Sequence, residues 1–258
     1  MPAPGWTFLQ WLGDVSGTNA TNSLRMSRDQ YVEAVFGTTL RTTTSGNGSV
    51  IIDPAAGVYP YGYTVTLTAL PQTGSGFSLW GNAASGTNNP LRISITNANP
   101  AVSCLFAPLN AAEVTLTLIE NGHGQVMVKP SAARYVTGQA VALMALAEPE
   151  EQFLGWSGDA SGTATNLVVT LDRSKVITAI FTRSVRLVAW PWVVHASEDE
   201  FRFRFSGDLG RAYELQQSTD LISRQSVGFL TNVFGAVQYG DPFQDTAPQR
   251  FYRLVILP

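Results

Sequence analysis

The most regular feature of the chain is a short alternation of apolar and polar residues, interrupted by glycine, asparagine and proline. The segments Val65–Ala69 and Phe201–Phe205 show it most clearly, with threonine or arginine at every second position. An alternation of period two turns one face of a strand inward and the other outward. No segment shows a helical period over three turns, although Asp172–Lys175 is compatible with one short helical or tight turn. The pattern therefore predicts an all-β fold of short strands.

One block of sequence recurs three times. Each copy has a Phe-x-x-Trp group and a Ser-Gly-Thr triplet that ends seven residues after the tryptophan. Each copy closes on a phenylalanine 25 or 26 residues after the same tryptophan. A front half that begins with Gly-x-Gly occurs only twice, at 46–54 and 122–130, and its glycines predict hairpin turns. The chain is therefore predicted to hold one half-unit and two full units. The recurring residues are Trp11, Trp80 and Trp156, closed by Phe36, Phe106 and Phe181.

The string Phe153–Thr163, followed by an apolar strand that ends at Phe181, resembles the divergent internalin-type B-repeat of bacterial surface and secreted proteins. The likeness covers residues 5 to 183 and implies small β-grasp-like modules along an exported chain. The second copy departs from the pattern, because Asn82-Ala83 stands where the third copy has Gly158-Asp159. A chemical site in this loop would not survive in one copy and vanish from the next.

After Arg183 the pattern changes, and a small antiparallel β-sandwich is expected. Ser218–Leu221 and Arg250–Arg253 are similar to a terminal β-sandwich module of exported bacterial proteins. The half-unit lacks front strands, so an open sheet edge or exposed apolar face is expected, which would pack on the second copy or pair with another chain. The predicted domains are a truncated half-unit at 1–38, B-repeat-like modules at 39–109 and 110–184, and the C-terminal β-sandwich at 185–258.

Composition narrows the partners. The net charge is −3 and only Lys129 and Lys175 are lysines, so no basic field exists to neutralise nucleic acid phosphates. No apolar run is long enough to predict a membrane span. Met1–Trp6 lacks the features of an export signal, so the chain is expected to be the tail of a longer exported product. The expected location is extracellular or the cell surface, and the expected partners are upstream domains, a protein or a cell-surface glycan.

Few residues are arranged as catalytic, metal or cofactor sites require. His123 and His195 have no second histidine or cysteine at zinc-ligand spacing, and His123 is expected to be a solvated turn residue. Cys104, the only cysteine, aligns with Ala34 and Ala179, which predicts a small buried side chain and excludes an intrachain disulfide. Gly-x-Gly lacks the third glycine of a dinucleotide site. No catalytic residue, metal site or cofactor is predicted, and the chain is not expected to be an enzyme.

The acidic residues are predicted to be structural. Asp14 and Asp159 are expected to accept backbone hydrogen bonds within a turn, with calcium binding by this loop as the open alternative. The groups Glu148–Glu151 and Glu198–Glu200 are expected to be solvated loops rather than paired catalytic acids.

The tryptophans leave two interpretations open. Recurrence predicts that the repeat tryptophans and closing phenylalanines form the module cores, and the alternative is an exposed platform for sugar rings. Trp190 and Trp192 belong to no repeat, and their alternation around Pro191 makes them the better candidates for ligand binding. The sequence therefore predicts a non-enzymatic extracellular spacer, display or adhesion protein whose modules contact their neighbours. The alternative is a carbohydrate-binding appendage of a larger secreted enzyme.

Overall fold

The computed structural model describes residues 1–27, 29–189, 200–242 and 249–257. These ranges contain β-strands and turns and no helix, which confirms the predicted all-β class. Asp172 and Arg173 form a bend ahead of a strand that begins at Lys175.

The half-unit contributes two strands, β1 (Thr7–Gly13) and β2 (Val32–Thr38), which pair in antiparallel fashion. A short strand of the second copy, β5 (Tyr59–Pro60), pairs with the other edge of β2 through Gly37 and Thr38. The expected open edge on β2 is therefore partly closed by the neighbouring copy within the same chain.

The second copy consists of two three-stranded sheets, ordered β3-β9-β7 and β4-β6-β8. Strands β3 and β9 are parallel, and the other pairs are antiparallel. Val65, Leu67 and Ala69 lie on the buried face of β6, as the alternation predicts. The strands are β3 (Arg41–Ser45), β4 (Gly48–Asp53), β6 (Thr64–Pro71), β7 (Ser75–Asn82), β8 (Leu91–Ser94) and β9 (Ala101–Pro108).

The third copy repeats this topology, with sheets β11-β17-β15 and β12-β14-β16 and a parallel pair formed by β11 and β17. The two-stranded sheet β10-β13, in which Val114 pairs with Tyr135, corresponds to the pairing of Thr38 with Tyr59 in the second copy. The strands are β10 (Glu113–Val114), β11 (Leu116–Asn121), β12 (Gly124–Lys129), β13 (Tyr135–Val136), β14 (Gln139–Ala147), β15 (Phe153–Gly158), β16 (Asn166–Leu171) and β17 (Lys175–Phe181).

The prediction of hairpin turns at the Gly-x-Gly segments is wrong, because the strands on either side belong to different sheets. Gly122 has φ +110°, and a Cβ there would lie 2.3 Å from the carbonyl oxygen of Phe181. A Cβ on Gly124 would lie 2.4 Å from the Phe181 ring. Gly46 and Gly48 stand in the same relation to Phe106. The motif therefore lets the chain cross between sheets directly over the closing phenylalanine.

The described residues after Ser184, here called the C-terminal module, form two three-stranded antiparallel sheets, β18-β19-β22 and β21-β20-β23. Phe203, Phe205, Tyr213 and Leu215 are buried in this module. The strands are β18 (Arg186–Ala189), β19 (Glu200–Ser206), β20 (Ala212–Ser218), β21 (Gln225–Thr231), β22 (Ala236–Pro242) and β23 (Phe251–Ile256).

The C-terminal module returns to the half-unit at the start of the chain. Gln10 donates a hydrogen bond to the Ala236 carbonyl oxygen at 2.8 Å. The Gln238 side chain accepts one from Gly13 N at 2.7 Å and donates one to the Gly13 oxygen at 2.9 Å. Besides the contacts between neighbouring copies, the first and last modules of this chain therefore contact one another.

Candidate functional site

The aromatic residues that define the repeat pack in similar geometry in every copy. The centroids of the first phenylalanine and the tryptophan are 5.0, 5.1 and 5.0 Å apart in copies one to three. The two phenylalanine rings are 5.9, 6.4 and 5.4 Å apart. Tilted and edge-on contacts of this kind stabilise a small core. The three aromatic triads are Phe8–Trp11–Phe36, Phe77–Trp80–Phe106 and Phe153–Trp156–Phe181.

The Ser-Gly-Thr triplet folds a loop back onto the tryptophan. The tryptophan backbone N–H donates to the triplet glycine oxygen at 2.8, 2.9 and 2.7 Å in the three copies. The indole Nε1–H donates to the carbonyl oxygen eight residues further on at 3.0, 2.8 and 2.8 Å. A buried indole N–H requires a partner, so the conserved spacing within this chain has a structural cause.

The tryptophans differ in burial. Trp80 and Trp156 are 2% and 4% exposed and lie in the cores of the two full copies. Trp11 is only half-buried, because the half-unit has no second sheet of its own. It lines a cavity of about 300 Å³ together with Phe234 and Ala236 of the C-terminal module. The C-terminal module therefore contributes to the surroundings of Trp11.

A family model described as "Divergent InlB B-repeat domain" matches residues 1–39, 38–109 and 114–185. The chain belongs to this B-repeat family. Each matched segment contains one aromatic triad, and the resemblance expected from the sequence is confirmed. The B-repeat is a non-catalytic repeat domain typical of bacterial surface or secreted proteins. No curated protein and no solved structure matches the chain significantly.

The loop aspartates of the B-repeats bind backbone across the loop. Asp159 Oδ2 accepts a hydrogen bond from Val176 N at 2.8 Å, and Asp14 Oδ2 accepts one from Tyr31 N at 2.8 Å. The bond from Val176 N, together with Arg173, lowers the pKa of the Asp159 carboxyl group. Both acceptors reach a residue 17 positions later rather than within the turn. In the second copy, Ala83 N bonds to the Ala101 oxygen at 2.9 Å, so the loop closes without a carboxylate.

Cys104 is 1% exposed in the core of the second copy. Burial raises the pKa of its thiol to about 12. A thiol with that pKa stays protonated near neutral pH and is a poor nucleophile. The geometry gives this cysteine a packing role, at the position that alanine occupies in the other two copies.

His123 is not a solvated turn residue, and that prediction is wrong. Its Nδ1 lies 3.0 Å from Glu151 Oε1 and its Nε2 lies 3.1 Å from Asp208 Oδ1. The hydrogen bond to Asp208, and then the one to Glu151, raises the pKa of His123 to about 9. A protonated imidazole can donate to both carboxylates at once. The hydrogen bond between His123 and Asp208 joins the third B-repeat to the C-terminal module.

Arg183 binds the same aspartate and makes this contact a cluster. It forms an ion pair with Asp208, and its Nη2 lies 3.6 Å from Asp53 Oδ2 of the second B-repeat. Burial raises the pKa of Asp208, but the bond from His123 and the charge of Arg183 outweigh burial and lower that pKa to about 2. Three modules therefore meet at one charge-compensated junction.

Glu151 corrects a second prediction, because its side chain is buried rather than solvated. It accepts hydrogen bonds from Thr182 Oγ1 and, at 2.8 Å, from Ser184 N. One signal of this junction is visible in the sequence, because His123 stands where the second copy has Asn47. The partners of His123 lie 28 and 85 residues away, and no local pattern points to them.

Several candidates fall outside the described residues, namely Trp190, Trp192, His195 and the start of the Glu198–Glu200 group. Within the described residues, no group of three or more histidine, cysteine, aspartate or glutamate side chains is placed to hold a metal ion. The same part of the chain contains no helix of the length and apolarity that crossing a membrane requires.

Proposed function

We propose that this B-repeat protein is a non-enzymatic display segment of an exported bacterial surface protein. The observation that carries the proposal is the role of the residues that recur in all three copies. They form aromatic cores and close the loops over the tryptophans, so each recurring residue has a structural role. The requirements of folding therefore explain why these residues recur in every copy, and no catalytic role is needed to explain it.

The reactive side chains have structural roles as well. The Cys104 thiol is buried, and His123 is held as a cation between two carboxylates. A general base must reach the proton that it removes, and both ring nitrogens of His123 are engaged by carboxylates of the chain itself.

The contacts between the first and last modules support a compact display block rather than a flexible string. The hydrogen bonds to Gly13 and the ion pair of Arg204 with Glu33 at 2.9 Å fix the C-terminal module against the half-unit. Such a block would present both ends of the chain at a defined separation to upstream or partner domains.

The test is a distance measurement between spin labels at Thr18→Cys and Ser223→Cys, both exposed, in a Cys104→Ala background. A rigid block gives one narrow distance distribution. A broad distribution would mean that the modules move independently. In parallel, turnover of a panel of polysaccharides and peptides is measured, and any saturable turnover contradicts the non-enzymatic proposal.

Carbohydrate binding is the second candidate function, and one observation favours it. Trp6 and the exposed Tyr61 lie 5.6 Å apart at ring centroids beside Phe36, in a groove of about 510 Å³ that also contains Glu33. Aromatic faces beside a carboxylate suit the apolar face and hydroxyl groups of a sugar ring.

A panel of polysaccharides and cell-wall preparations separates the two functions. Saturable binding that Trp6→Ala with Tyr61→Ala abolishes would assign the glycan to this groove. Loss only in Trp190→Ala with Trp192→Ala would assign it to the C-terminal module. No binding to any member of the panel favours display alone.

A further inference from the structure

The second and third B-repeats meet through one defined surface. The outer face of the β4-β6-β8 sheet packs against strand β11, so Thr68 of β6 and Thr117 of β11 are both buried. At the edge of this contact, Arg92 of β8 lies 3.2 Å from Glu120 Oε2 and donates to the Gly124 oxygen at 2.5 Å. This contact joins a sheet face of one copy to a strand of the next.

The third copy has the same sheet face, and it is uncovered. Alignment of Gly46 with Gly122, and of Leu67 with Leu143, places Met127, Met144 and Val168 at the positions of Ile51, Thr68 and Arg92. These three side chains are 47%, 43% and 70% exposed. They line a mainly apolar groove of about 260 Å³.

The second copy has the matching strand, and it is also uncovered. Strand β3 is the counterpart of β11, with Arg41 in place of Thr117 and Thr44 in place of Glu120. Thr117 is buried, whereas Arg41, Thr43 and Thr44 are exposed. One chain thus carries both halves of an interface that it uses once internally, and in each half the surface is free.

We propose that copies of this chain associate head to tail, with β3 of one copy seated on the β12-β14-β16 face of another. The two halves have lost their charges together, since Val168 replaces Arg92 and Thr44 replaces Glu120. The new interface therefore buries no unpaired charge at that point. Arg41 stands at the position of the buried Thr117, so its aliphatic stem would pack on the methionine-lined face while its guanidinium group extends to solvent.

In this arrangement two different surfaces meet, β3 of one copy and the β12-β14-β16 face of another. When two copies associate, one β3 and one β12-β14-β16 face therefore stay unoccupied. Heterologous contacts of this kind close into a ring or extend into a filament. A surface protein whose copies assemble in rows would present several binding sites together and would bind a multivalent partner more tightly.

The experiment measures sedimentation velocity of the full 258-residue chain over a concentration series. The wild-type chain is expected to show a weight-average mass that rises with concentration. Val168→Arg alone and Thr44→Glu alone each bring a charge without a partner into the interface, and each should weaken association by about tenfold or more. The double variant rebuilds the Arg92–Glu120 pair between copies and should restore association.

Ile222→Arg is the matched control, because Ile222 is an exposed apolar residue of the C-terminal module and lies outside both halves. It should leave association unchanged, and thermal unfolding verifies that every variant is folded. A monomer at all concentrations overturns the proposal. So does association that depends on Val168 but not on Thr44, because that result means a different partner for the exposed face.

Discussion

Replacement of His123 by asparagine, the residue at the equivalent position in the second B-repeat, isolates the junction between the repeats and the C-terminal module. The imidazole gains its two carboxylate partners only on folding, and its pKa rises from 6.5 to about 9. At about 1.4 kcal/mol per pKa unit, the upper limit is roughly 3 kcal/mol of stability. The ring is 30% exposed, so solvent screening reduces the expected contribution to about 1–2 kcal/mol.

The sign of the pH dependence follows from the direction of the shift. A folded-state pKa above the unfolded value means that the stabilisation is complete below the unfolded pKa of 6.5 and is lost as the pH rises through about 9. The wild-type chain should therefore lose about 1–2 kcal/mol of unfolding free energy over this window. Asp208 has the opposite shift, so its contribution is lost as the pH falls from 3.8 towards about 2.

Urea unfolding followed by tryptophan fluorescence, at one pH below 6.5 and one pH above the folded-state pKa of about 9, measures the effect. His123→Asn should be less stable than the wild type at the lower pH and equal to it at the higher pH. His195→Asn is the control, because His195 is the only other histidine, and it should keep the wild-type pH dependence. A wild-type chain equally stable at both pH values, or a dependence abolished by the His195 variant, would refute the reasoning.

Three further predictions concern the B-repeat cores. Gly122→Ala should cost about 2–4 kcal/mol, because its Cβ meets a carbonyl oxygen, whereas Gly138→Ala, with positive φ but open space, should cost only about 1 kcal/mol; urea unfolding compares them. Trp156→Ala should cost about 3–5 kcal/mol and Trp11→Ala clearly less, because Trp11 is half-buried; equal losses in calorimetry would contradict this. Cys104 should react with a thiol reagent only in denaturant. Rapid labelling of the native chain would show that the thiol is accessible and would contradict this prediction.

The sequence determined the features that depend on local spacing. The period-two alternation specifies which side of β6 is buried, and the Trp and Phe spacings specify one aromatic triad per copy. These signals are readable because a strand's own residues decide which side chains share a face, and because three copies report on the same positions.

Tertiary structure decided how the copies meet. The Gly-x-Gly segments allow a hairpin by sequence, and only the position of Phe181 shows that they cross between sheets. The hydrogen bond to Asp208 favours the protonated form of His123. Glu151 is buried where it accepts hydrogen bonds from Thr182 and Ser184.

The return of the C-terminal module onto the half-unit likewise joins Gly13 to Gln238, residues far apart in the chain. Such contacts follow from complementary surfaces of folded modules, which leave no periodic pattern in the sequence. The modules were therefore predictable one at a time, whereas their assembly was not.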